Sequence, residues 1–298
     1  MPTTTTPFSM KDRSAGRGQN DHARGPVGPL KISLDCRGHS LRGRSRAVNE
    51  DHHHSCDLEW RPGTLVPDAH LLAVADGLGG EAAGEHASRI AVASIVGFLR
   101  DLRGLGDAPD PKDVLRSALV RAHLDLLEDE KHHPERTGMA TTLTAVLVLW
   151  PRAYVLHAGD SRAYHLRKGR LARLTTDHTL EQQLRDQGSV LAASIAPGRY
   201  RHVVWNHLGG DQQFPHPELT IADLEGGDGL LLATDGLTNV LPERDLEEGI
   251  ARWGSAEAVS RGLVGEVRER GGRDDATALY ARFGMATGAP RGPSGPRA

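Results

Sequence analysis

The chain reads as an α+β protein with sheet layers inside and helices outside. Three observations carry this reading: β-rich runs lie toward both ends of the central region, two long amphipathic helices sit between them, and tight connections join successive strands. Residues 31–36 alternate polar and apolar side chains and read as a first strand, with Cys36 a small residue within it. Residues 71–75 form a short apolar strand, followed by glycines and then a helix in which Ala87, Ile90, Ala91, Ile95, Phe98 and Leu99 recur at helical spacing. A second helix opens at Asp110-Pro111, where Asp caps free amides and Pro suits the first turn; Val114, Ala118, Ala122 and Leu126 form its buried stripe.

From there the pattern turns to strands at 142–149, 153–157 and 163–166, with Lys168-Gly169 a tight turn that implies antiparallel pairing. Further strands fall at 230–233 and 276–281, separated by helices near 242–253 and 255–269. Residues 180–206 are polar with scattered apolar side chains, a pattern that a helix followed by a mobile flap would satisfy. No internal repeat is visible.

Composition narrows the function classes. With 298 residues the chain can bury a large core, either as one domain of about 250 residues with tails or as two smaller ones. Residues 1–30 and 285–298 are rich in Gly, Pro, Ser and Arg and read as disordered tails, leaving 31–284 as the folded domain. A net charge of −3, from 36 basic and 39 acidic residues, supplies no field for nucleic acid. The longest apolar run, 140–150, is broken by threonines and falls short of the roughly 20 residues of a membrane span. The N-terminal stretch lacks the continuous apolar region of a secretory signal, and two cysteines, Cys36 and Cys56, do not make a disulfide framework. The expected compartment is the cytoplasm.

The chemistry-bearing residues are acids beside glycines at strand ends: Asn49-Glu50-Asp51, Asp76-Gly77-Leu78-Gly79-Gly80, Asp235-Gly236 and Asp274-Asp275. Carboxylate oxygens suit hard ions such as Mg²⁺ or Mn²⁺, and several brought together need cations to stay ionised. The pattern therefore points to metal-assisted hydrolysis.

The full set is more specific than any part. Gly43-x-x-Arg46-x-x-Asn49-Glu50-Asp51, Val74-Ala75-Asp76-Gly77-Leu78-Gly79-Gly80 with Gly84, Ala140-Thr141-Thr142, Gly159-Asp160-Ser161-Arg162, Asp235-Gly236-Leu237 and Gly271-Gly272-Arg273-Asp274 resemble, in order and spacing, the metal-dependent (type 2C) serine/threonine protein phosphatases, above all the bacterial branch. The resemblance spans roughly residues 32–283 and implies a four-layer α/β/β/α sandwich, two antiparallel sheets flanked by helix pairs. It also implies roles. Asp76 would bridge two Mn²⁺ or Mg²⁺ ions beside the carbonyl of Gly77, Asp235 and Asp274 would complete one ion's shell, and Glu50 and Asp51 would hold the other, partly through water. Arg46 would grip phosphate oxygens with its planar fork. A hydroxide bridging the two ions would attack phosphorus in line with the leaving serine or threonine oxygen.

Three positions depart from the family pattern. Asn239 stands where bacterial members carry a second acid, which weakens the third metal position that it would share with Asp160. Leu78 replaces a Met or a histidine proposed as general acid, and Asp275 replaces the usual Asn. The implied partners are phosphoserine and phosphothreonine proteins made by serine/threonine kinases, with a monomeric enzyme.

Other readings compete. Single Asp-Gly pairs are common turns, and Gly159–Arg162 also fits a plain strand connection. Gly77-x-Gly79-x-x-Ala82 fits a dinucleotide fingerprint, but Asp76 would repel a pyrophosphate. Cys36 and Arg42 have the spacing of a cysteine phosphatase loop without the hydroxyl residue after Arg42. His52, His53 and His54 cannot all face one ion from a strand, so they read as a solvated or outer cluster. A non-catalytic phosphoprotein-binding module with the same fold would have lost metal carboxylates, whereas Asp76, Asp235 and Asp274 are all present.

Overall fold

A computed structural model describes residues 32–60, 69–78, 82–102, 109–187 and 200–284. The chain begins with β1 (Leu34–Leu41), β2 (Asp51–Leu58) and β3 (Ala69–Leu78), then passes through α1 (Ala82–Asp101) and α2 (Pro111–His132). Asp110 caps α2 by accepting from the Lys112 amide, with Pro111 in the first turn. Strands β4 (Ala140–Thr141), β5 (Leu143–Leu149), β6 (Arg152–Ala158), β7 (Arg162–Arg167) and β8 (Arg170–Arg173) follow. Lys168 and Gly169 turn β7 into β8 with φ of 51° and 79°, the left-handed pair that a two-residue hairpin requires. After α3 (Leu180–Asp186) come β9 (Leu208–Gly209), β10 (Glu218–Asp223) and β11 (Gly229–Ala233). The helices α4 (Asp235–Thr238), α5 (Glu243–Trp253) and α6 (Ala256–Glu269) precede β12 (Ala276–Phe283).

Two antiparallel sheets result. One has the order β1-β12-β11-β7-β8; the other runs β10-β6-β5-β3-β4-β9, with β2 on the free side of β3. Period-two alternation sorts the apolar side chains into three layers. Leu72, Val74, Val146, Leu230, Leu232, Leu279 and Ala281 fill the space between the sheets. Leu71, Ala73 and Ala75 face the other way, onto Ile95 of α1 and Leu119 of α2. Leu231, Ala278 and Tyr280 face Leu246 of α5 and Leu263 of α6. This is the α/β/β/α sandwich, with helices covering both outer faces.

Several strands differ from their sequence reading: β9 and β10 have no counterpart in it, β3 runs over 69–78 rather than 71–75, and β1 is longer than read. The alternation at 31–36 suggests an end at Cys36, yet β1 continues to Leu41 because every residue from Leu34 to Leu41 finds a partner on β12, Leu34 opposite Phe283 and Leu41 opposite Ala276. Gly38 interrupts the side-chain pattern but not the ladder; a Cβ there would fall 2.3 Å from the His53 ring. The helix expected within 180–206 is α3, and residues 188–199 of that stretch lie outside the described residues, as do both expected tails.

The inter-sheet layer should dominate stability. Leu232→Ala, at a fully buried position, is expected to cost about 2–5 kcal/mol in urea unfolding, whereas Val120→Ala on the exposed face of α2 should stay within about 0.5 kcal/mol.

Candidate metal centre

The alternation that turns Leu72 and Val74 into the inter-sheet layer turns Asp76 the same way, so carboxylates take over where the apolar core stops. Asp51 stands directly opposite Asp76 in the β2–β3 register, and both are buried. The Asp76 backbone is held by the Thr141-Thr142 step: its N–H donates to Thr142 Oγ1 at 3.0 Å, and its carbonyl accepts from Thr142 N at 2.9 Å and Thr141 Oγ1 at 2.8 Å. Those contacts give the Ala140-Thr141-Thr142 motif its physical purpose.

Asp51 is reached from the other sheet. Its Oδ2 accepts from Thr234 Oγ1 at 2.8 Å and Thr277 Oγ1 at 2.6 Å, residues that follow β11 and lie within β12. Its Oδ1 is buried with no hydrogen-bond partner among the described residues. Burial pushes the Asp51 carboxyl up to about 8 against the pull of the two threonine hydrogen bonds, with the charges of Asp275 and Asp235 adding to the rise. Asp76 is raised well above the usual range, first by burial and then by the charges of Asp51, Asp235, Asp160 and Asp274. Asp160 is raised by burial and by Asp235.

Gly77 meets two demands. Its N–H donates to the Glu50 carbonyl at 3.1 Å, and a Cβ on it would fall 2.2 Å from the Gly84 carbonyl oxygen in the first turn of α1. The glycine is thus required by helix packing as well as by any close approach of an ion to its own carbonyl.

Arg46 bridges two of the acids. Its Nε donates to Asp274 Oδ1 and its Nη1 to Glu50 Oε2, each at 2.7 Å, and the guanidinium is about one-third exposed. The loop that carries it is tied to the β12 end of the molecule. Ser45 N donates to Arg273 O at 3.1 Å, and Asp275 accepts from Gly43 N on Oδ1 and from Glu50 N on Oδ2, both at 2.8 Å. Asp275 is 2 % exposed, and both its oxygens serve buried amides. In the sequence this residue is only a departure from Asn; in the structure it is the peg that sets the Arg46 loop and Glu50. A carboxamide could accept only one of the two amides, which is the physical content of having Asp here.

Asp235 opens α4, and a Cβ on Gly236 would fall 1.9 Å from the Asp275 carbonyl oxygen, so α4 and the Asp274-Asp275 segment touch backbone to backbone. Asn239 donates from Nδ2 to Asp235 Oδ2 at 3.0 Å. Asp160, Asp235, Asn239, Arg162 and Asp177 line one cavity of about 340 Å³. The Gly159–Arg162 segment is therefore both the β6–β7 connection and part of the site, with Arg162 gripping Asp177 through Nε at 3.0 Å and Nη2 at 2.7 Å.

Several contributors carry no signal in the sequence. His178 Nδ1 accepts from Gly159 N at 3.1 Å while its main-chain N–H donates to Gly159 O at 2.7 Å, so His178 fixes the turn that presents Asp160. Its Nε2 lies 3.1 Å from Glu218, and its ring stacks on His157 at 4.7 Å. These three residues cluster as metal ligands would, but each ring nitrogen is already engaged: His157 by Thr144 Oγ1 and the Thr176 carbonyl, His178 by Gly159 and Glu218. The cluster is a hydrogen-bonded support. His202 Nδ1 lies 3.7 Å from Asp235 Oδ2. The residues involved are too far apart in the chain for spacing to connect them.

Two competing readings meet contrary geometry. Cys36 lies buried in β1 with its thiol pushed up to about 11 by burial, and Arg42 donates to the carbonyls of Arg46 and Ala47, so no thiolate cradle forms. His52, His53 and His54 project alternately from β2, half-buried.

The donor set fits hard divalent cations. It consists of carboxylates and one backbone carbonyl, with a buried Asp51 oxygen lacking a partner and neighbouring acids whose mutual repulsion positive charge would relieve. Fold and site together define a sandwich protein with an acidic rim whose donors suit divalent cations and whose Glu50 and Asp274 are bridged by Arg46. Residues 37–264 match the protein phosphatase 2C family model, and the chain belongs to that family. The serine/threonine protein phosphatase PstP of Mycobacterium tuberculosis is 34% identical over 243 residues, which are 81% of this chain and 43% of PstP; the chain thus matches less than half of that relative's length. The serine/threonine phosphatase stp of Listeria monocytogenes is 26% identical over 80% of this chain and 91% of its own. A crystal structure of the PstP catalytic domain in complex with two manganese ions aligns with a TM-score of 0.69 at 30% identity, covering 85% of this chain and 99% of that domain.

Each buried amide left without an acceptor costs about 1–3 kcal/mol. Asp275→Ala should therefore lower the urea midpoint markedly, and Asp275→Asn, which keeps one acceptor oxygen, should fall between it and the parent protein.

Proposed function

We propose that this chain is a Mn²⁺- or Mg²⁺-dependent protein phosphatase that hydrolyses phosphoserine and phosphothreonine. The observation that carries the reading is the gathering of Glu50, Asp51, Asp76, Asp160, Asp235 and Asp274 around one rim with Arg46 at its edge. Asp76, the Gly77 carbonyl, Asp235, Asp274, Glu50 and Asp51 would hold two such ions, the last two partly through water. When bound, such ions act as Lewis acids on the phosphoryl group and make water a usable nucleophile at neutral pH.

The chain's own residues do the rest. Arg46, already fixed in direction by Asp274 and Glu50, offers its remaining N–H groups to phosphate oxygens and offsets their charge. The threonines at 141, 142, 234 and 277 hold Asp76 and Asp51 in place from both sheets, so little reorganisation is needed as charge builds on the phosphoryl group. Leu78 offers no proton, so the leaving oxygen takes its proton from water or from an acid other than residue 78. An intact acidic set is what a merely phosphoprotein-binding relative would have lost, which favours catalysis.

The proposed domain is residues 31–284, flanked by tails, acting as a monomer in the cytoplasm on proteins phosphorylated by serine/threonine kinases. The free cysteines Cys36 and Cys56 support a reducing compartment, and among the described residues no helix is long and apolar enough to cross a membrane.

The test is hydrolysis of a phosphothreonine peptide with Mn²⁺, with EDTA, and by variants. Chelation, Asp76→Ala and Asp274→Ala should each remove turnover by at least about 10³-fold while leaving the fold intact by circular dichroism, and Cys36→Ser should keep it. Retained activity in Asp274→Ala would overturn the assignment.

Asn239 allows a second check. Asn239→Asp places a carboxylate beside Asp160 and Asp235 and should add or tighten a weak Mn²⁺ site in calorimetric titration; an unchanged isotherm would show that this cavity does not hold a cation.

A further inference from the structure

Beside the carboxylate cluster lies a second cavity, of about 530 Å³, that phosphoryl binding does not use. It starts at Leu78, the residue after Gly77, and at His202, which contacts Asp235. Its floor is a small shelf of sheet: Leu78 of β3 pairs with Ala140 of β4, and Ala140 pairs with Gly209 of β9. Gly138 and Gly210, with φ of 83° and 58°, border the shelf without side chains, and a Cβ on Gly210 would stand 3.4 Å from Ala140 Cβ, inside the space. Val203 and Val204 form the facing wall.

Of the six exposed large hydrophobic residues among those described, three, Val203, Trp205 and Phe214, fall in this one stretch. Of these three only Val203 lines the cavity; the Trp205 ring packs against His178 and His216. The wall is also fastened: Leu180 N donates to Val203 O at 2.9 Å and Trp205 N to His178 O at 3.0 Å, so it is continuous with the support of Asp160. At the mouth, Asp211 is fully exposed, 3.8 Å from His207.

The occupant follows from adjacency: Leu78 follows Gly77 in the chain, and His202 lies 3.7 Å from Asp235. A phosphorylated residue whose phosphoryl group meets Arg46 and the carboxylates carries its chain neighbours within one or two Cα steps, each about 3.8 Å. The cavity begins one residue from Gly77, so the substrate itself delivers a flanking side chain there.

We propose that this cavity is a specificity subsite that takes an apolar side chain of Val, Leu or Met size flanking the phosphorylated serine or threonine, and that Asp211 at its mouth rejects acidic neighbours. The proposal rests on the phosphatase reading and adds a substrate class to it: phosphorylated segments with an aliphatic neighbour and no flanking Asp or Glu. Hydrophobic pockets of this kind discriminate modestly, by about 10–200-fold for one or a few methylenes.

The test uses the full chain with Mn²⁺, para-nitrophenyl phosphate, and phosphothreonine peptides identical except for Leu, Ala or Asp on either side of the phosphothreonine. The expected result is a kcat/KM about tenfold higher for Leu than for Ala on one side, carried by KM, with Asp lowest. Val203→Asp should bring the Leu-to-Ala ratio close to one, and Asp211→Lys should raise turnover of the Asp peptide relative to Ala, a gain that a structural defect would not produce. Equal kcat/KM across the peptides, or a Leu-to-Ala ratio unchanged in Val203→Asp, would overturn the subsite while Mn²⁺-dependent hydrolysis of para-nitrophenyl phosphate upheld the phosphatase. No hydrolysis of any substrate would instead overturn the reading on which the subsite rests.

Discussion

Like charge packed at the edge of an apolar core is the constraint on which the site depends. Asp51, Asp76 and Asp160 are each under 10 % exposed, and burial is the first cause of the raised pKa of all three. Burying even one carboxylate is costly, and close neighbours of the same sign add to the cost. The fold tolerates the cluster because donors converge on it from both sheets: Thr234 and Thr277 on Asp51, Thr141 and Thr142 on the Asp76 backbone, and Arg46 between Glu50 and Asp274. What these contacts leave unsatisfied is charge, which divalent cations would relieve.

The same arrangement explains why the centre sits at one end of a sandwich. Strand alternation alone sends Leu72, Val74 and Asp76 to one face, so the site is the continuation of the core with the side-chain chemistry changed. Closing that end takes backbone contacts without side chains, as at Gly77 against Gly84 and Gly236 against Asp275. Asp275 then joins the two chain regions that supply Arg46 and Asp274, with no need to touch substrate itself.

Among the described residues, two cavities of different character adjoin this centre. The one containing Asp160, Asp235 and Asn239 is lined by charged and polar residues. The other joins Leu78, Ala140, Val203 and Val204 with two glycines, His202, His207 and Asp211. Both adjoin Asp235, through Asn239 in one case and His202 in the other, so chemistry and selection of the substrate's neighbours would share a border.

The sequence by itself marked the long helices, most of the longer strands and a candidate acidic set, but not β9 or β10. Helix periodicity marked the α1 and α2 faces, Asp110-Pro111 marked the α2 start, and the ordered motifs marked Arg46, Glu50, Asp51, Asp76, Gly77, Asp160, Asp235 and Asp274, because local spacing and residue chemistry carry that information. Tertiary structure alone decided the rest. The extent of β1 came from its ladder with β12, and the roles of Asp275 and His178 came from amides at Gly43, Glu50 and Gly159 that lie far away in the chain. The shelf beside Leu78 likewise needs β3, β4 and β9 side by side. Hydrogen bonds between distant backbone groups leave no periodicity and no motif, so only the folded chain shows them.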